Sequence, residues 1–411
     1  MNFPRRLAAI TAWLGAAALG ASFLAGCGSH AAASPSAISP SAGSPPAANS
    51  GSQPAPTGSA SQPAATPTGP ARQHAGWQQR TVVRENQREL ISNQVVDPQA
   101  AALYALVASR LAPERGPYLL RRTDLATGAV RTGPEFAGGS IALAQGYLWI
   151  FAGLGQRGSR SAPLVIREVS PKTLTVVRSV SFPPPGLVPY VSVAAGPGVS
   201  VWIGDGGHAW LISAVTGMLV SKVTVPAGFG IVDIAVDPAG RHLYVSGRST
   251  SPEGGPDAVF EYDAVTGRLL ASAEHGPVTF GLAGAELTAT PPGVWASYRT
   301  GMLGATILLR QRGLVTVQPP GDGRGPGPGS VYVWGMGATT VYGGGTLWLA
   351  NEGGVLACSS PQSGAVRAKT RTRPGLLVSS ELLAVNPAAH LVYGLGSGGL
   401  IAISPPARCW R

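Results

Sequence analysis

From residue 77 onward the chain alternates short apolar segments with tight polar turns, and no stretch sustains the period of an amphipathic helix. An apolar residue followed by Tyr or Trp recurs at Leu103-Tyr104, Leu148-Trp149, Val201-Trp202, Leu243-Tyr244, Val294-Trp295, Leu347-Trp348 and Val392-Tyr393. The successive spacings are 45, 53, 42, 51, 53 and 45 residues, close to one four-stranded unit each. Ahead of most pairs lies an apolar strand and a turn, as in Val95-Val96-Asp97-Pro98, in Ile234 to Gly240, and in Leu383 to Pro387. Proline after Asp or Asn presets the second position of a type I turn, so each predicts a hairpin. Behind several pairs a third strand ends in a turn running Asp124 to Gly128, Ser213 to Gly217, Asp263 to Gly267 or Ser360 to Gly364. There the first side chain caps the turn and glycine takes the left-handed conformation. A fourth strand follows, for example Leu219 to Val223 or Leu269 to Ser272. Similar pairs at Val331-Tyr332, Val333-Trp334 and Val341-Tyr342 fall off this grid.

Regular repeats of this length predict an all-β, seven-bladed β-propeller, with a two-sheet sandwich as the competing arrangement. The seventh repeat supplies an inner strand at Leu382–Asn386, a second at His390–Leu395 and a third at Leu400–Ser404, and then no fourth. At the other end Arg80-Thr81-Val82-Val83-Arg84 alternates as a strand with no repeat ahead of it. It is therefore expected to complete the last blade and remove an exposed edge.

The first 76 residues have a different character. Arg5 and Arg6 precede an uncharged apolar run, Leu7 to Phe23, as in the charged and apolar regions of a secretory signal. The run is short for a membrane span of ~20 residues. It is followed by Leu24-Ala25-Gly26-Cys27, which closely resembles the bacterial lipobox. That resemblance implies cleavage before Cys27 and a diacylglyceryl group on its thiol. Residues 28–76 are nearly all Ser, Ala, Pro, Gly, Thr and Gln, too little apolar surface to offset chain entropy. They are expected to form a disordered tether of roughly 35–42 Å r.m.s.. The expected organisation is a signal peptide at 1–26, lipidated cysteine and tether at 27–76, and propeller at 77–411, on the outer side of the cytoplasmic membrane.

The segments Asp237 to Val245 and Asp263 to Gly267 resemble repeat units of the YVTN and quinoprotein-like propellers, a likeness that spans roughly residues 77–404. Quinoprotein dehydrogenases follow the Asp-x-x-Thr-Gly turn with a docking tryptophan, which none of the turns here has, so pyrroloquinoline quinone is not carried over. No cofactor and no metal site is expected. The net charge is +11 for the chain, and only three of the 30 bases precede residue 77. The arginines are scattered rather than gathered in a stripe, which speaks against a nucleic-acid partner. Their excess suits an anionic partner such as a glycan, peptidoglycan or an acidic protein surface.

With Cys27 lipidated, Cys358 and Cys409 remain in an oxidising compartment and are expected to pair, fastening blade seven to blade six. No lysine follows the glycine of a phosphate-binding loop, and neither a His-Glu-x-x-His nor a Gly-x-Ser-x-Gly motif occurs. The glycine- and proline-rich run Gly321 to Gly329 reads as a surface loop. His208 beside Asp205 is a candidate acid–base pair, or a turn histidine next to a capping aspartate. Loops after the second strands carry the candidate binding residues Arg110, Arg157, Asp205, His208, Arg248, Arg299, Asn351 and Glu352, with Gln156 and Glu253 nearby. Two functions are compatible with the chain. One is a binding scaffold in the cell envelope; the other is an extracytoplasmic lyase or hydrolase resembling the virginiamycin B lyase or lactonase propellers.

Overall fold

A computed structural model describes residues 76–410 except 85–88, 110–116, 137–139, 153–163, 183–190, 252–254, 256, 276–284, 301–302, 311–313, 318–331, 336–338, 352–353, 373–382 and 397–398. The expectations for the signal segment, Cys27 and the tether lie outside the described residues. The chain divides at Gly69, and the described residues all belong to the second unit. No helix among them is long and apolar enough to cross a membrane.

The described strands form seven antiparallel sheets, the blades. Each blade runs outward from an inner strand to a second strand carrying the aromatic pair, then a third and an outer strand. The inner strands are Glu89–Asp97, Ile141–Ala144, Val191–Ala195, Phe229–Val236, Ala285–Thr290, Thr339–Gly343 and Leu383–Asn386. Each packs beside the next, and the seventh packs beside the first, so the blades close a ring. The aromatic residues of all seven pairs are buried in the seams between blades, from Tyr104 and Trp149 to Trp348 and Tyr393. Some also bond across a seam. The Tyr104 hydroxyl reaches the Pro171 carbonyl of blade two, and Trp295 Nε1 donates to the Pro361 carbonyl of blade six.

The ring closes as the N-terminal alternation predicts. Strand Gln78–Arg84 lies antiparallel to Gly399–Ser404, the third strand of blade seven, with Gln78 opposite Ser404 and Arg84 opposite Gly399. Cys358 in blade six and Cys409 in the short C-terminal helix Ala407–Trp410 lie within bonding distance, their Cα atoms 5.6 Å apart. Trp410 packs against Trp348 at 4.9 Å between ring centroids, and Thr346 Oγ1 donates to the Cys409 carbonyl.

The predicted turns form with the predicted chemistry. Gly128, Gly217, Gly267 and Gly364 all have φ between +69° and +75°. The Asp263 carboxylate accepts the amides of Val265 and Thr266, and Asp124 does the same for Ala126 and Thr127. In blades two and five the corresponding position is taken by Leu174 and Leu314, at φ 60° and 49°. Both leucines are buried, so packing offsets a strained backbone. Gly133 in the outer strand of blade one makes room for Leu174, since a Cβ there would lie 3.0 Å from the leucine's own.

Blade five departs from the plan. Its third strand, Leu303–Arg310, pairs at one end with Val315–Val317 and at the other with Tyr332–Gly335. The off-grid aromatic pairs Tyr332 and Trp334 thus belong to the second half of a divided outer edge.

Candidate functional site

The direction of the strands sorts every connection onto one of two faces. Turns joining inner to second and third to outer strands lie on one face, here the turn face. Loops joining second to third strands, and the crossings between blades, lie on the other, the loop face.

The loop-face candidates fall into three groups. Arg110, Arg157 and Glu352 lie outside the described residues, as do Gln156 and Glu253. Asp205 and Arg299 are placed on second strands, opposite His208 and Gly304. His208, Arg248 and Asn351 are described in full. Asp205 and His208 end the two strands of a Gly206-Gly207 hairpin. The His208 ring leans on Trp210, with Nδ1 3.2 Å from Thr224 Oγ1 on the outer strand. Burial, and then the charge of Lys222, hold the imidazole below its ordinary pKa, so it is neutral at pH 7. Arg248 pairs with Gly230 and favours the charged form of Asp257, whose pKa burial raises. Asn351 is buried and local: its Oδ1 accepts the Val355 amide at 2.9 Å, and its carbonyl accepts Gly354 N–H.

A second constellation emerges once the blades are aligned on their aromatic partners. The residue two places before the inner-strand residue facing the aromatic is Asn93, Ser140, Ser192, Asp233, Glu286 or Thr339 in blades one to six, Ser140 lying just ahead of its strand. These positions form a polar belt at one level of the inner wall, and in blades three to five their side chains point toward the following blade. An inner strand is a sheet edge whose amides lack a ladder partner on the axial side. Belt side chains supply some of the missing acceptors. Ser192 Oγ accepts the Ile234 amide and donates to Asp233 Oδ1 at 2.5 Å. Asp233 Oδ2 in turn accepts the Leu287 amide of blade five at 2.7 Å. Thr339 Oγ1 donates to Glu286 Oε2 at 3.1 Å, and one step along the strands Thr288 and Thr340 bond to each other.

Asp233 lies deep within the domain although part of its surface stays accessible. Burial is the main effect on its carboxyl, outweighing the three hydrogen bonds, and the nearby Glu286 adds to it. The pKa is pushed up to about 7. A carboxyl that titrates near neutrality beside a second carboxylate can hold or release a proton at physiological pH. Two further buried acids sit in the blade seams instead. Glu168 lies 3.8 Å from Arg178, with burial raising its pKa. Glu261 lies 2.8 Å from His242 Nδ1, though the ring is not aligned for a hydrogen bond. Among the described residues no group of three or more His, Cys, Asp and Glu side chains is placed to hold a metal ion.

The belt could have been found only by lining up the aromatic pairs and allowing for unequal hairpins. It precedes the aromatic by 11 residues in blades one and four, by 9 in blades two, five and six, and by 10 in blade three.

No protein-family model matches the chain, and no curated protein matches it either. Among solved structures it is similar to the crystal structure of BamB from Moraxella catarrhalis, with a TM-score of 0.50 and 17% identity, over 78% of this chain and 84% of that one. BamB is a β-propeller, and the likeness shows the fold they share.

Proposed function

We propose that the chain is a cell-envelope lipoprotein, held on the outer side of the cytoplasmic membrane by a diacylglyceryl group on Cys27, whose propeller is a binding scaffold. Its partner is a protein or an anionic glycan such as peptidoglycan, received on the loop face. One observation carries the reading. The inner-wall side chains Ser192, Asp233, Glu286, Thr288, Thr339 and Thr340 are engaged in bonds between blades, so they brace the ring, and recognition falls to the loops that vary in length around it. The Cys358–Cys409 bond suits export to an oxidising compartment.

The test replaces Arg157, Arg248 and Arg299 together, and separately Lys172, Arg241 and Arg268 of the turn face. Co-sedimentation with purified peptidoglycan and cross-linking to envelope proteins are then measured at two salt concentrations. The first variant loses capture, the second keeps it, and wild-type capture weakens with salt. Equal loss from both, or none from the first, overturns the proposal.

A propeller lyase or hydrolase is the second reading, and Asp233 beside Glu286 is the observation that favours it. Turnover of a lactone that disappears in both Asp233→Asn and Glu286→Gln, with loop-face binding intact, would put the chemistry in the belt.

A further inference from the structure

The same turn occurs in four blades and its tip differs among them. The second residue of each turn, Leu125, Ala214, Ala264 or Pro361, is buried. The third is exposed in all four, and is Ala126 in blade one, Gln362 in blade six, but Val215 and Val265 in blades three and four. These valines are 64% and 63% exposed, in a turn that demands no apolar residue at that position. The chain beyond them continues the pattern. Met218, Leu219 and Val220 are 69%, 58% and 59% exposed, and Leu269 and Leu270 follow the turn of blade four. On blade two Val176 and Val177 are likewise exposed at the start of the outer strand.

Neighbouring turns and strands touch, so these side chains form a band. The Arg178 guanidinium of blade two bonds to the Val215 carbonyl, and a Cβ on Gly267 would meet Val223 and Ser221 of blade three. Folded monomers seldom leave a contiguous apolar patch beyond roughly a few hundred Å². The band is also basic. Lys172 lies in it, on the turn of blade two, with Arg178, Arg241 and Arg268 in it or beside it. The nearby Asp237 and Asp263 carboxylates each accept two backbone amides. Finally, Gln78 pairs with Ser404, so the first described strand begins at the turn-face end of blade seven.

We infer that the turn face of blades two to four docks on the surface of an anionic lipid bilayer, with the valine, leucine and methionine side chains among the acyl–headgroup boundary and Lys172 and the arginines at lipid phosphates. This rests on the anchoring reading, which brings the domain to a bilayer. It directs the loop face away from the membrane.

The test uses the full mature lipoprotein in vesicles of phosphatidylcholine, alone or with one-third phosphatidylglycerol, carrying a thiol-linked fluorophore on Val215→Cys, Val265→Cys or Ser251→Cys. Ser251 is exposed on the loop face. Flotation with the vesicles reports the anchor, and quenching by nitroxide lipids reports the docked face. In phosphatidylglycerol vesicles the probes at 215 and 265 are quenched at least about threefold more than the probe at 251. The difference is lost when Lys172→Glu and Arg268→Glu are combined, or at high salt. Protein that fails to float contradicts the anchoring reading, and quenching is then measured on the free protein added to the same vesicles. Equal quenching at the two faces overturns the inference. So does fluorophore-to-fluorophore contact between copies in detergent, which would assign the band to a second copy of this chain.

Discussion

Two seams hold the ring together by different means. The seam at blade seven combines a backbone ladder from Gln78–Ser404 to Arg84–Gly399, the Cys358–Cys409 pair, and a bond from the Asn386 side-chain amide to the Pro98 carbonyl. None of these groups changes charge between pH 4 and 9. The seam from blade three to blade five relies, along the inner wall, on Ser192, a buried carboxyl at Asp233, and the Leu287 amide. Its strength depends on a proton. A closed ring must join residues far apart in sequence somewhere, and covalent and backbone links do so independently of conditions. An interior seam between consecutive blades has little chain entropy to overcome, and it tolerates an ionisable link.

Breaking the covalent part of the closing seam has the largest expected effect. Cys358→Ala with Cys409→Ala releases a link across a separation of 51 residues, and loop entropy alone makes that worth about 4 kcal/mol. Urea unfolding of the exported protein measures it, with mass spectrometry of a non-reducing digest to establish that the wild-type thiols are joined. A loss below about 1 kcal/mol would mean that the strand ladder closes the ring without help.

The interior seam is tested by pH. The Asp233 carboxyl starts from an ordinary value of 3.8 and is raised to about 7 in the folded ring, chiefly by burial. Between those values the folded protein keeps a proton that the unfolded chain has released. The stability contributed by this group is therefore complete below about pH 4 and is lost as pH rises through 7, on the order of 4 kcal/mol in all. Glu168, also raised by burial, acts in the same direction. Asp233→Asn cannot titrate, so its unfolding free energy should fall less steeply between pH 4 and 8 than that of wild type. Parallel slopes would remove Asp233 from the account of this seam.

A purely local link shows the contrast from the other side. Asp237 is buried and its Oδ1 accepts the amides of Arg241 and His242 at 2.6 and 2.9 Å. Asp237→Ala should cost about 1.5 kcal/mol in the same urea titration. A cost matching that of the disulfide would mean that the turn controls ring closure as well as its own hairpin.

Such local devices were the part of the molecule legible in the sequence. Asp237, Asp263 and the left-handed glycines carry their structural instruction within five residues, and the aromatic pairs mark a second strand in every blade. Closure was legible too, because an unmatched strand at one end answers a missing strand at the other. The belt was not, because Ser192, Asp233 and Leu287 come from three blades and hairpins of unequal length displace them against the aromatic grid. Leu174 and Leu314 hid two turns by standing where glycine was expected. In blade five the divided outer edge scattered extra aromatic pairs off the grid. Among the candidate binding residues, sequence placed His208 and Asn351 on the loop face, but not the Thr224 hydroxyl that faces one or the Val355 amide that engages the other.

The smallest expected effect bears on the tips of the turns. If Val215 and Val265 face solvent without supporting the fold, then Val215→Ala and Val265→Gln, which install the residue types that blades one and six use at the same place, should shift stability by no more than about 0.5 kcal/mol. The reasoning is internal to the ring. Four turns share one backbone and one capping pattern, two of them tolerate Ala126 and Gln362 at the tip, and the buried neighbour that shapes the turn is the residue before it. A valine exposed by more than 60% forms few of the contacts that make apolar burial stabilising. A measured loss above about 1 kcal/mol would show that these side chains pack in a way the other two turns do without. The apolar band would then belong to the architecture of blades three and four, and the membrane would have no claim on it.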